Sequence, residues 1–418
     1  MEKIGKIRQQ LSEQGQEHLL RWAGELSEKE KESLLSDIEK LDFDMVREAQ
    51  ALLRGEKQAK NGAREEISQA PVLKLPQLAQ YREQYRQAGL EALRQGQVAA
   101  VLLAGGQGTR LGFDHPKGCL NVGITRELYL FQILLANLQD TVNLTGVYVH
   151  MYIMTSQLNH QETVDFFEKH SFFGYPKEYI HFFIQDMAPS LDPAGRILME
   201  TKSRISMTPN GNGGWFSSLE RCGMLQEIKE KGIRWLNVFS VDNVLQRIAD
   251  PVFIGAVLCR GSLAGAKVIA KANPDEKVGA ICLRNGRPSV VEYSELTEEM
   301  RNARDEQGEY KYYYGVTLNY LFNIEAAQER AGRKLPVHLA HKKIACLDEA
   351  GQPVTPQEPN GYKLETFIFD ILEAFDEVTA VEVLREEEFA PIKNKEGVDS
   401  LETARALLKR NRPEWGSL

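Results

Sequence analysis

The sequence has 418 residues, of which 42% are hydrophobic and 26% are charged, proportions that are ordinary for a globular protein. Its formal net charge of −8 argues against a sequence-independent nucleic-acid-binding protein, because such proteins concentrate positive charge. No apolar run approaches the roughly 20 residues of a membrane-spanning helix, and the N-terminal residues lack the apolar core of a signal peptide.

The cysteines favour a cytoplasmic protein with reduced thiols. Their odd number, their wide spacing and the lack of any CxxC pair argue against a disulfide framework and against a zinc site. The five are Cys119, Cys222, Cys259, Cys282 and Cys346.

Residues 1–95 are predicted to form a helical N-terminal region. Ser27 and Glu30 have the spacing of a capping box ahead of an apolar face that contains Leu34. Pro76 is predicted to open a further helix. Because these residues lack the types found in catalytic sites, we expect them to form a helical flank.

Residues 96–385 alternate apolar strands with helical stretches and are predicted to form the catalytic domain. Strands are predicted over residues 98–104, 147–155, 179–184, 235–241, 266–270, 278–283, 289–292, 312–319 and 344–347. Helices are predicted over residues 128–138, 161–169, 216–231, 251–260 and 326–331. The alternation in the first half predicts an α/β fold with a mostly parallel sheet, and the closely spaced later strands predict an antiparallel annex. Residues 386–418 form a short, charged C-terminal segment with one predicted helix, over residues 401–409.

The most informative stretch is VAAVLLAGGQGTRLGFDHPKGC, at residues 98–119. Its apolar beginning is typical of a strand buried on both faces. Gly105 and Gly106 follow at once and present backbone N–H groups that suit a phosphate. Arg110 and Lys117 add positive charge beside them. The stretch predicts a nucleoside triphosphate site, and a glycine-rich turn after an ordinary core strand is the alternative.

Two better-known phosphate motifs do not fit this stretch. A P-loop requires Ser or Thr after its Lys, whereas Lys117 follows Pro116 and precedes Gly118. The dinucleotide motif GxGxxG is broken because residue 111 is Leu111 and the third glycine, Gly112, comes one residue late. The sequence therefore predicts a longer loop that reaches from the strand over a nucleotide to Lys117.

Asp242 closes the strand predicted over residues 235–241. Ligands of open α/β sheets bind beyond the carboxyl ends of the strands. A carboxylate there could hold Mg²⁺, which favours oxygen ligands and keeps phosphates as partners. A helix cap shared with Asn243 is the alternative.

Other polar positions could contact a flat ring or a sugar. The second glycine loop, SMTPNGNGG at residues 206–214, allows backbone to approach a ring or a sugar, and Asn212 adds an amide that both donates and accepts. A flexible hairpin is the alternative for this loop. Gln185 could pair with uracil, although a Gln at a strand end is normally a surface residue. Glu292 could accept hydrogen bonds from sugar hydroxyls, and an exposed strand residue is the alternative.

Four further residues have side chains that could bind a phosphate or a metal, but no surrounding motif supports such a role. Lys363 and Lys393, taken alone, are best interpreted as solvated surface lysines. His338 and His341 lack a matching carboxylate pattern, so they are interpreted as surface or core histidines rather than metal ligands.

Taken together, these motifs resemble the UDP-sugar pyrophosphorylase family, closest to the eukaryotic-type UDP-N-acetylhexosamine pyrophosphorylases. The motifs occur in family order from about residue 100 to 410: LLAGGQGTRLGFDHPKG (102–118), Gln185, SMTPNGNGG (206–214), SVDN (240–243), VGAIC (278–282), VVEYSE (290–295), residues 362–370 and EEEFAPIKN (386–394).

The resemblance implies a Rossmann-like, GT-A-like nucleotidyltransferase fold and the reaction of UTP with a sugar 1-phosphate to give a UDP-sugar and pyrophosphate. It implies small-molecule substrates, with neither nucleic acid nor a membrane as partner, and leaves the oligomeric state open. By this resemblance, Gly105 and Gly106 would bind the nucleotide, Arg110 the departing phosphates and Lys117 the α-phosphate. Gln185 and Gly211 would bind uracil, and Asn212, Gly279 and Glu292 would bind the sugar. Asp242 would hold Mg²⁺, Lys363 would contact the sugar phosphate, and Lys393 would lie near the phosphates.

One departure from the family concerns the sugar. A Gly-Asn-Ile motif whose Asn contacts the sugar in the family reads Gly315-Val316-Thr317 here. Losing a designed hydrogen bond can shift selectivity strongly, so a UTP–glucose-1-phosphate uridylyltransferase stays an alternative. A non-catalytic UDP-sugar sensor is a second alternative, and a dehydrogenase is disfavoured by the broken GxGxxG spacing.

Overall fold

The fold is seen in a computed structural model, which describes residues 2–56, 66–331 and 335–415. Its helices are α1 (Glu2–Glu13), α2 (Glu28–Glu39), α3 (Phe43–Leu53), α4 (Leu75–Arg94), α5 (Leu130–Thr145), α6 (His160–Lys169), α7 (Trp215–Arg221), α8 (Met224–Glu230), α9 (Pro251–Cys259), α10 (Glu298–Asn302), α11 (Ile324–Ala331), α12 (Arg385–Glu388) and α13 (Leu401–Asn411). Its strands are β1 (Ile67–Gln69), β2 (Val72–Leu73), β3 (Val98–Leu103), β4 (Met151–Thr155), β5 (Ile180–Ile184), β6 (Met187–Pro189), β7 (Met199–Thr201), β8 (Arg204–Ile205), β9 (Met207–Pro209), β10 (Trp235–Ser240), β11 (Ala264–Ala270), β12 (Ala280–Arg284), β13 (Arg287–Val291), β14 (Tyr314–Asn323), β15 (His338–Lys342), β16 (Cys346–Leu347), β17 (Pro353–Val354), β18 (Gly361–Glu365) and β19 (Thr379–Glu382).

The chain divides into two compact units, each built from separate stretches. The larger unit comprises residues 66–185, 215–334 and 369–418, and the smaller one residues 1–65, 186–214 and 335–368. The division of the chain into functional domains at residues 95 and 385 stays a prediction.

The larger unit is organised around one sheet with the strand order β2-β19-β11-β14-β10-β3-β4-β5. Strands β10, β3, β4 and β5 are parallel neighbours, and so are β2, β19 and β11. Strand β14 runs antiparallel between β10 and β11, so those two strands point the same way and their carboxyl ends lie at one edge. The mostly parallel α/β sheet predicted from the sequence is therefore confirmed.

The predicted antiparallel annex is also present in the larger unit. Strand β12 pairs antiparallel with β13, with β1 and, through Ala280 and Gly315, with β14. Strands β1 and β2 were not predicted: β1 lies at the end of the polar stretch 58–69, whose composition predicts a loop, and β2 precedes the helix predicted to begin at Pro76. Residues 58–65 of that predicted loop lie outside the described residues. Strands of two or three residues are too short to show the alternation that identifies a strand.

The core of the larger unit forms where helices cover the sheet. All six residues of β3 are buried, as its apolar run predicts. Helix α9 is apolar throughout because it packs between the sheet and α4. Two glycines permit close contact of these helices: a Cβ added to Gly89 would lie 1.9 Å from the Pro251 carbonyl oxygen, and one added to Gly255 would lie 1.7 Å from the Tyr85 carbonyl oxygen.

Replacing Gly255 with alanine is therefore expected to destabilise the protein. The added methyl group would meet the α4 backbone, which cannot move aside as a flexible side chain could. Overpacking of this kind typically costs about 1–3 kcal/mol. Chemical denaturation measures the loss, with Gly5→Ala as the control, because a Cβ at Gly5 of α1 meets nothing within 4 Å. Equal stability of Gly255→Ala and the parent would contradict this prediction.

The smaller unit contains α1–α3, β6–β9 and β15–β18. Its apolar cluster joins helix residues such as Leu34 and Ile38 to strand residues such as Ile205 and Leu364. The predicted capping box is present, because Ser27 and Glu30 exchange hydrogen bonds at the start of α2. The strands at residues 187–209, 338–342 and 361–365 were not predicted.

Other sequence expectations need small corrections. The helix predicted over residues 216–231 is divided into α7 and α8, because Gly223 adopts a left-handed φ of 81° between them. The C-terminal helix α13 is present, and Leu408 on it packs with Val122, Val244 and Ile392 in a buried cluster. The C-terminal segment is thus part of the larger unit. All five cysteines are free thiols.

Candidate active site

The first glycine loop leaves the carboxyl end of β3 and folds back on itself. The Ala104 N–H donates to the Met154 carbonyl on β4 (2.8 Å), which continues the sheet for one residue. The Lys117 N–H then donates to the Gly106 carbonyl (3.2 Å), so Lys117 returns to the point where the loop began. A Cβ at Gly106 would meet nothing within 4 Å, so this backbone faces open space. The long loop expected from the sequence is confirmed.

Gly105 and Gln185 lie against each other at this edge. The Gln185 side chain is 6% exposed, and a Cβ added to Gly105 would lie 2.1 Å from its Oε1. The Gln185 N–H donates to Thr155 at the end of β4 (2.8 Å). The ends of β3, β4 and β5 therefore place a polar amide directly beside the glycine loop.

Lys117 and Asp242 form an ion pair at the carboxyl end of β10. Lys117 Nζ lies 3.6 Å from Asp242 Oδ2, and the two side chains are 16% and 20% exposed. The Ser240 hydroxyl donates to Asp242 Oδ1. Burial acts to raise the pKa of Asp242, but the charges of Lys117 and Lys393 and the Ser240 hydrogen bond outweigh it and hold the pKa below its ordinary value. Asp242 is thus an anion at neutral pH.

Lys393 is brought to the same place by the C-terminal segment. The Ile392 N–H donates to the Asp242 carbonyl (2.9 Å), and Asn243 Nδ2 donates to the Glu388 carbonyl (2.7 Å). Lys393 Nζ also lies 3.6 Å from Asp399 Oδ2. Two lysines distant in the sequence therefore lie beside one carboxylate. Sequence inspection overlooked Ser240, although its position two residues before an Asp is a common spacing for local hydroxyl–carboxylate contacts.

Arg110 lies in the turn Thr109–Leu111 of the glycine loop, and its side chain is exposed. Within residues 2–56, 66–331 and 335–415, no carboxylate is paired with it. Its guanidinium group can therefore bind an incoming anion without breaking an existing ion pair.

Gly279 and Glu292 come together in the annex. A Cβ added to Gly279 would lie 3.1 Å from Glu292 Oε1, so this carboxylate lies over the glycine backbone. The Gly279 carbonyl accepts from the Val316 N–H at the start of β14 (2.9 Å). Because β14 begins where β10 and β11 end, these residues lie at the same edge of the sheet as Asp242.

Three further candidates, Gly211, Asn212 and Lys363, belong to the smaller unit. Gly211 has a φ of +83°, and its Cβ position would lie 2.3 Å from the Thr366 carbonyl, so only glycine fits there. The loop forms a 3₁₀ turn (Asn212–Gly214) rather than a hairpin. Asn212 Oδ1 accepts from the Ile368 N–H (3.0 Å), and its Nδ2 forms no hydrogen bond with any residue that the structure describes.

Lys363 is half-buried on β18, opposite Ala340 of β15. His338 and His341 lie on β15, and the His341 ring stacks on Tyr362 with centroids 4.7 Å apart. The part of the chain that the structure describes contains no group of three or more His, Cys, Asp or Glu residues that could hold a metal.

Asp242 could supply one carboxylate ligand to Mg²⁺. Mg²⁺ usually keeps several waters and binds through one or two carboxylates together with substrate phosphates. One half-buried, ionised carboxylate at the edge where phosphates would enter meets that requirement, with the other ligands coming from substrate and water.

Comparison with known proteins gives this arrangement its context. The sequence matches the family described as UDPGP, UTP–glucose-1-phosphate uridylyltransferase, over residues 43–411. The chain belongs to this family. UDPGP relatives include human "UDP-N-acetylhexosamine pyrophosphorylase-like protein 1", 35% identical over 429 residues, which cover 98% of this chain and 84% of the relative. The Saccharomyces cerevisiae "UDP-N-acetylglucosamine pyrophosphorylase" is 36% identical over 426 residues, which cover 96% and 89%.

Solved structures of UDPGP-type proteins agree with the fold. The uridine diphosphate N-acetylglucosamine pyrophosphorylase of Trypanosoma brucei, in complex with an inhibitor, has a TM-score of 0.82 at 29% identity and covers 99% of this chain and 86% of its own. A UDP-glucose phosphorylase of the same organism has a TM-score of 0.68 at 20% identity, covering 90% and 78%, and supports the fold alone. The nucleotidyltransferase fold implied by the sequence is confirmed. Among the described residues, no helix has the length and apolar character needed to span a membrane.

Proposed function

We propose that this protein is a uridylyltransferase that converts UTP and a sugar 1-phosphate into a UDP-sugar and pyrophosphate. N-acetylglucosamine 1-phosphate is the leading sugar substrate, because the yeast relative and the Trypanosoma brucei structure are named for N-acetylglucosamine. A hexose 1-phosphate is the alternative. The observation that carries the proposal is the gathering of Lys117, Lys393 and Asp242 beside the glycine loop.

The reaction joins two anions, which sets the task of the site. A phosphate oxygen of the sugar 1-phosphate attacks the α-phosphorus of UTP, and the bond from that phosphorus to the oxygen bridging to the β-phosphate breaks. Pyrophosphate leaves with the bonding electron pair, and no proton transfer by the protein is needed. Positioning and charge neutralisation therefore supply most of the catalysis.

The cationic side chains are assigned to successive phosphates. Lys117, beside the start of the loop, would bind the α-phosphate, and exposed Arg110 would bind the departing phosphates. Lys393 would lie near the phosphates, and Lys363 would contact the sugar phosphate. Asp242 would hold Mg²⁺, which neutralises charge on phosphate oxygens and stabilises the leaving pyrophosphate when bound.

The uncharged contacts are assigned to the uracil and the sugar. Gln185 and the Gly211 backbone would bind uracil, whose edge offers both a donor and an acceptor. Gly279, Glu292 and Asn212 would hold the sugar. Val316 has no side-chain polar group with which to replace the family Asn, so the sugar specificity is the first property to measure.

Turnover with a panel of sugar 1-phosphates tests the proposal. We expect pyrophosphate release from UTP and Mg²⁺ with N-acetylglucosamine 1-phosphate or a hexose 1-phosphate, and none when a chelator removes the divalent ion or when ATP replaces UTP. Absence of release with every sugar would refute the proposal. Binding of a UDP-sugar without any release would support the alternative of a non-catalytic UDP-sugar sensor. Cytoplasmic localisation is proposed on the free thiols alone.

A further inference from the structure

Lys271 is a buried lysine at the edge of the sheet that carries the candidate site. It follows β11 directly, so it lies beyond the carboxyl end of that strand, at the edge shared with Asp242 after β10. Its N–H donates to the Tyr313 carbonyl (2.9 Å), which holds its backbone against the start of β14. A charged residue at this edge occupies a position where open α/β sheets bind ligands.

The ammonium group of Lys271 is buried without a partner. The residue is 1% exposed, and its Nζ forms no hydrogen bond within the part of the chain that the structure describes. Burial lowers the pKa of Lys271 below its ordinary value, against the opposing charges of Glu276 and Glu292. A buried donor without an acceptor is costly and rare in folded proteins.

The surroundings of Lys271 connect it to the sugar-side residues. A Cβ added to Gly315 would lie 3.8 Å from Lys271 Cγ, so the lysine stem passes beside this glycine. Gly315 pairs with Ala280 of β12, and Glu292 lies over the preceding residue, Gly279. Glu276 forms an ion pair with Arg385 (2.5 Å), and Glu292 is the second carboxylate whose charge acts on Lys271.

We propose that Lys271 is a further substrate-binding residue, whose Nζ donates a hydrogen bond to a sugar hydroxyl oxygen while that hydroxyl donates a hydrogen bond to Glu292. A hydroxyl can donate and accept at once, so a cationic donor and a carboxylate together satisfy it. Bound substrate would supply the acceptor that the buried amine lacks. This inference rests on the proposed function for the identity of the sugar ligand.

Variants of two lysines separate this role from a structural one. Lys271→Met removes the donor and keeps the length of the stem, and Lys277→Met is the matched control because Lys277 is exposed in the same loop. We expect Lys271→Met to raise the KM for the sugar 1-phosphate about 10- to 100-fold, the effect of losing a hydrogen bond to a charged group, with the KM for UTP unchanged. Its melting temperature should not fall, because a buried unpartnered amine is replaced by an apolar group.

Calorimetry makes the test independent of turnover. UDP-N-acetylglucosamine should bind Lys271→Met about 10- to 100-fold more weakly than the parent, whereas UDP, which lacks the sugar, should bind both equally. Deoxy-sugar 1-phosphates identify the hydroxyl. Removing the hydroxyl that Lys271 contacts should greatly weaken binding to the parent but should weaken binding to Lys271→Met only slightly.

Each outcome decides the point. An unchanged ratio of UDP-sugar to UDP affinity in Lys271→Met would overturn the inference, even if the variant bound both ligands more weakly than the parent. If Lys271→Met does not fold, Lys271→Gln, which keeps a shorter neutral donor, is judged by the same ratio. A parent that binds the UDP-sugar but releases no pyrophosphate would refute the proposed function while the ratio still judges Lys271. A parent that binds neither ligand would overturn both.

Discussion

Replacing Lys117 with alanine is expected to lower kcat about a thousandfold, the upper range for removing one preorganised charge-stabilising donor. Lys117 is only 16% exposed and its Nζ lies 3.6 Å from Asp242, so its charge acts in a partly dehydrated site where it is worth more than in water. Steady-state kinetics with UTP and the active sugar 1-phosphate measure the loss.

The fold should survive this substitution. Asp242 keeps the Ser240 hydrogen bond and the charge of Lys393, so it is not left as an isolated buried anion. Lys177→Ala is the control, because Lys177 is exposed and forms its ion pair with Glu168 (3.3 Å) away from the site. A Lys117→Ala variant with a normal circular dichroism spectrum and a kcat within tenfold of the parent would exclude Lys117 from the mechanism.

Replacing Lys267 with methionine is expected to lower the free energy of unfolding by about 3–5 kcal/mol, the usual cost of removing one partner from a buried ion pair. Lys267 is 1% exposed, and its Nζ donates to Asp250 (2.9 Å) and Glu388 (2.5 Å). Without it, Arg247 is the remaining cation that acts on the Asp250 and Glu388 carboxylates within the described part of the chain. Denaturant unfolding at pH 7 measures the change.

The loss should shrink as the pH falls. In the parent, burial acts to raise the pKa of Asp250, but Lys267 and Arg247 hold it below its ordinary value, so this carboxylate stabilises the fold above its unfolded pKa. In the variant, the unpaired carboxylates should have raised pKa values, take up protons in the folded state and regain stability at lower pH. The double variant Lys267→Met/Glu388→Gln should be more stable than Lys267→Met alone. A deficit that stays constant between pH 7 and pH 5 would contradict this explanation.

The same substitution should also reduce activity. The Glu388 carbonyl accepts from Asn243, the neighbour of Asp242, so the buried charges anchor the segment that carries Lys393. Losing the Lys267 charge is therefore expected to displace Lys393 and lower kcat, although Lys267, Asp250 and Glu388 are not among the proposed substrate-binding residues.

The sequence predicted best those features that depend on long apolar runs. Strands β3 and β10 were predicted within one residue, because their mostly apolar runs are typical of strands that are buried on both faces. The approach of Asp242 to the glycine loop followed from the rule that ligands gather at strand carboxyl ends. Short strands such as β8, with two residues, carry no periodicity and were missed.

Other parts of the candidate site could not be predicted from local pattern. Lys393 reaches Asp242 because the Ile392 N–H bonds to the Asp242 carbonyl, a contact without a sequence signature, and only the family resemblance drew attention to it. Lys271 was missed because a lone lysine after a strand is usually exposed, and its burial depends on β14 and the annex.

The position of β19 between β2 and β11 determines when this protein can fold during synthesis. The register pairs Val381 with Leu73 on one side and Lys267 on the other, so early and late parts of the chain share one sheet. Contacts so remote in sequence slow folding. A nascent chain on the ribosome has β11 without its neighbour until β19 has been translated, and an unpaired strand edge is a template for aggregation. A chain whose translation stalls before β19 is therefore expected to expose the β11 edge and to aggregate.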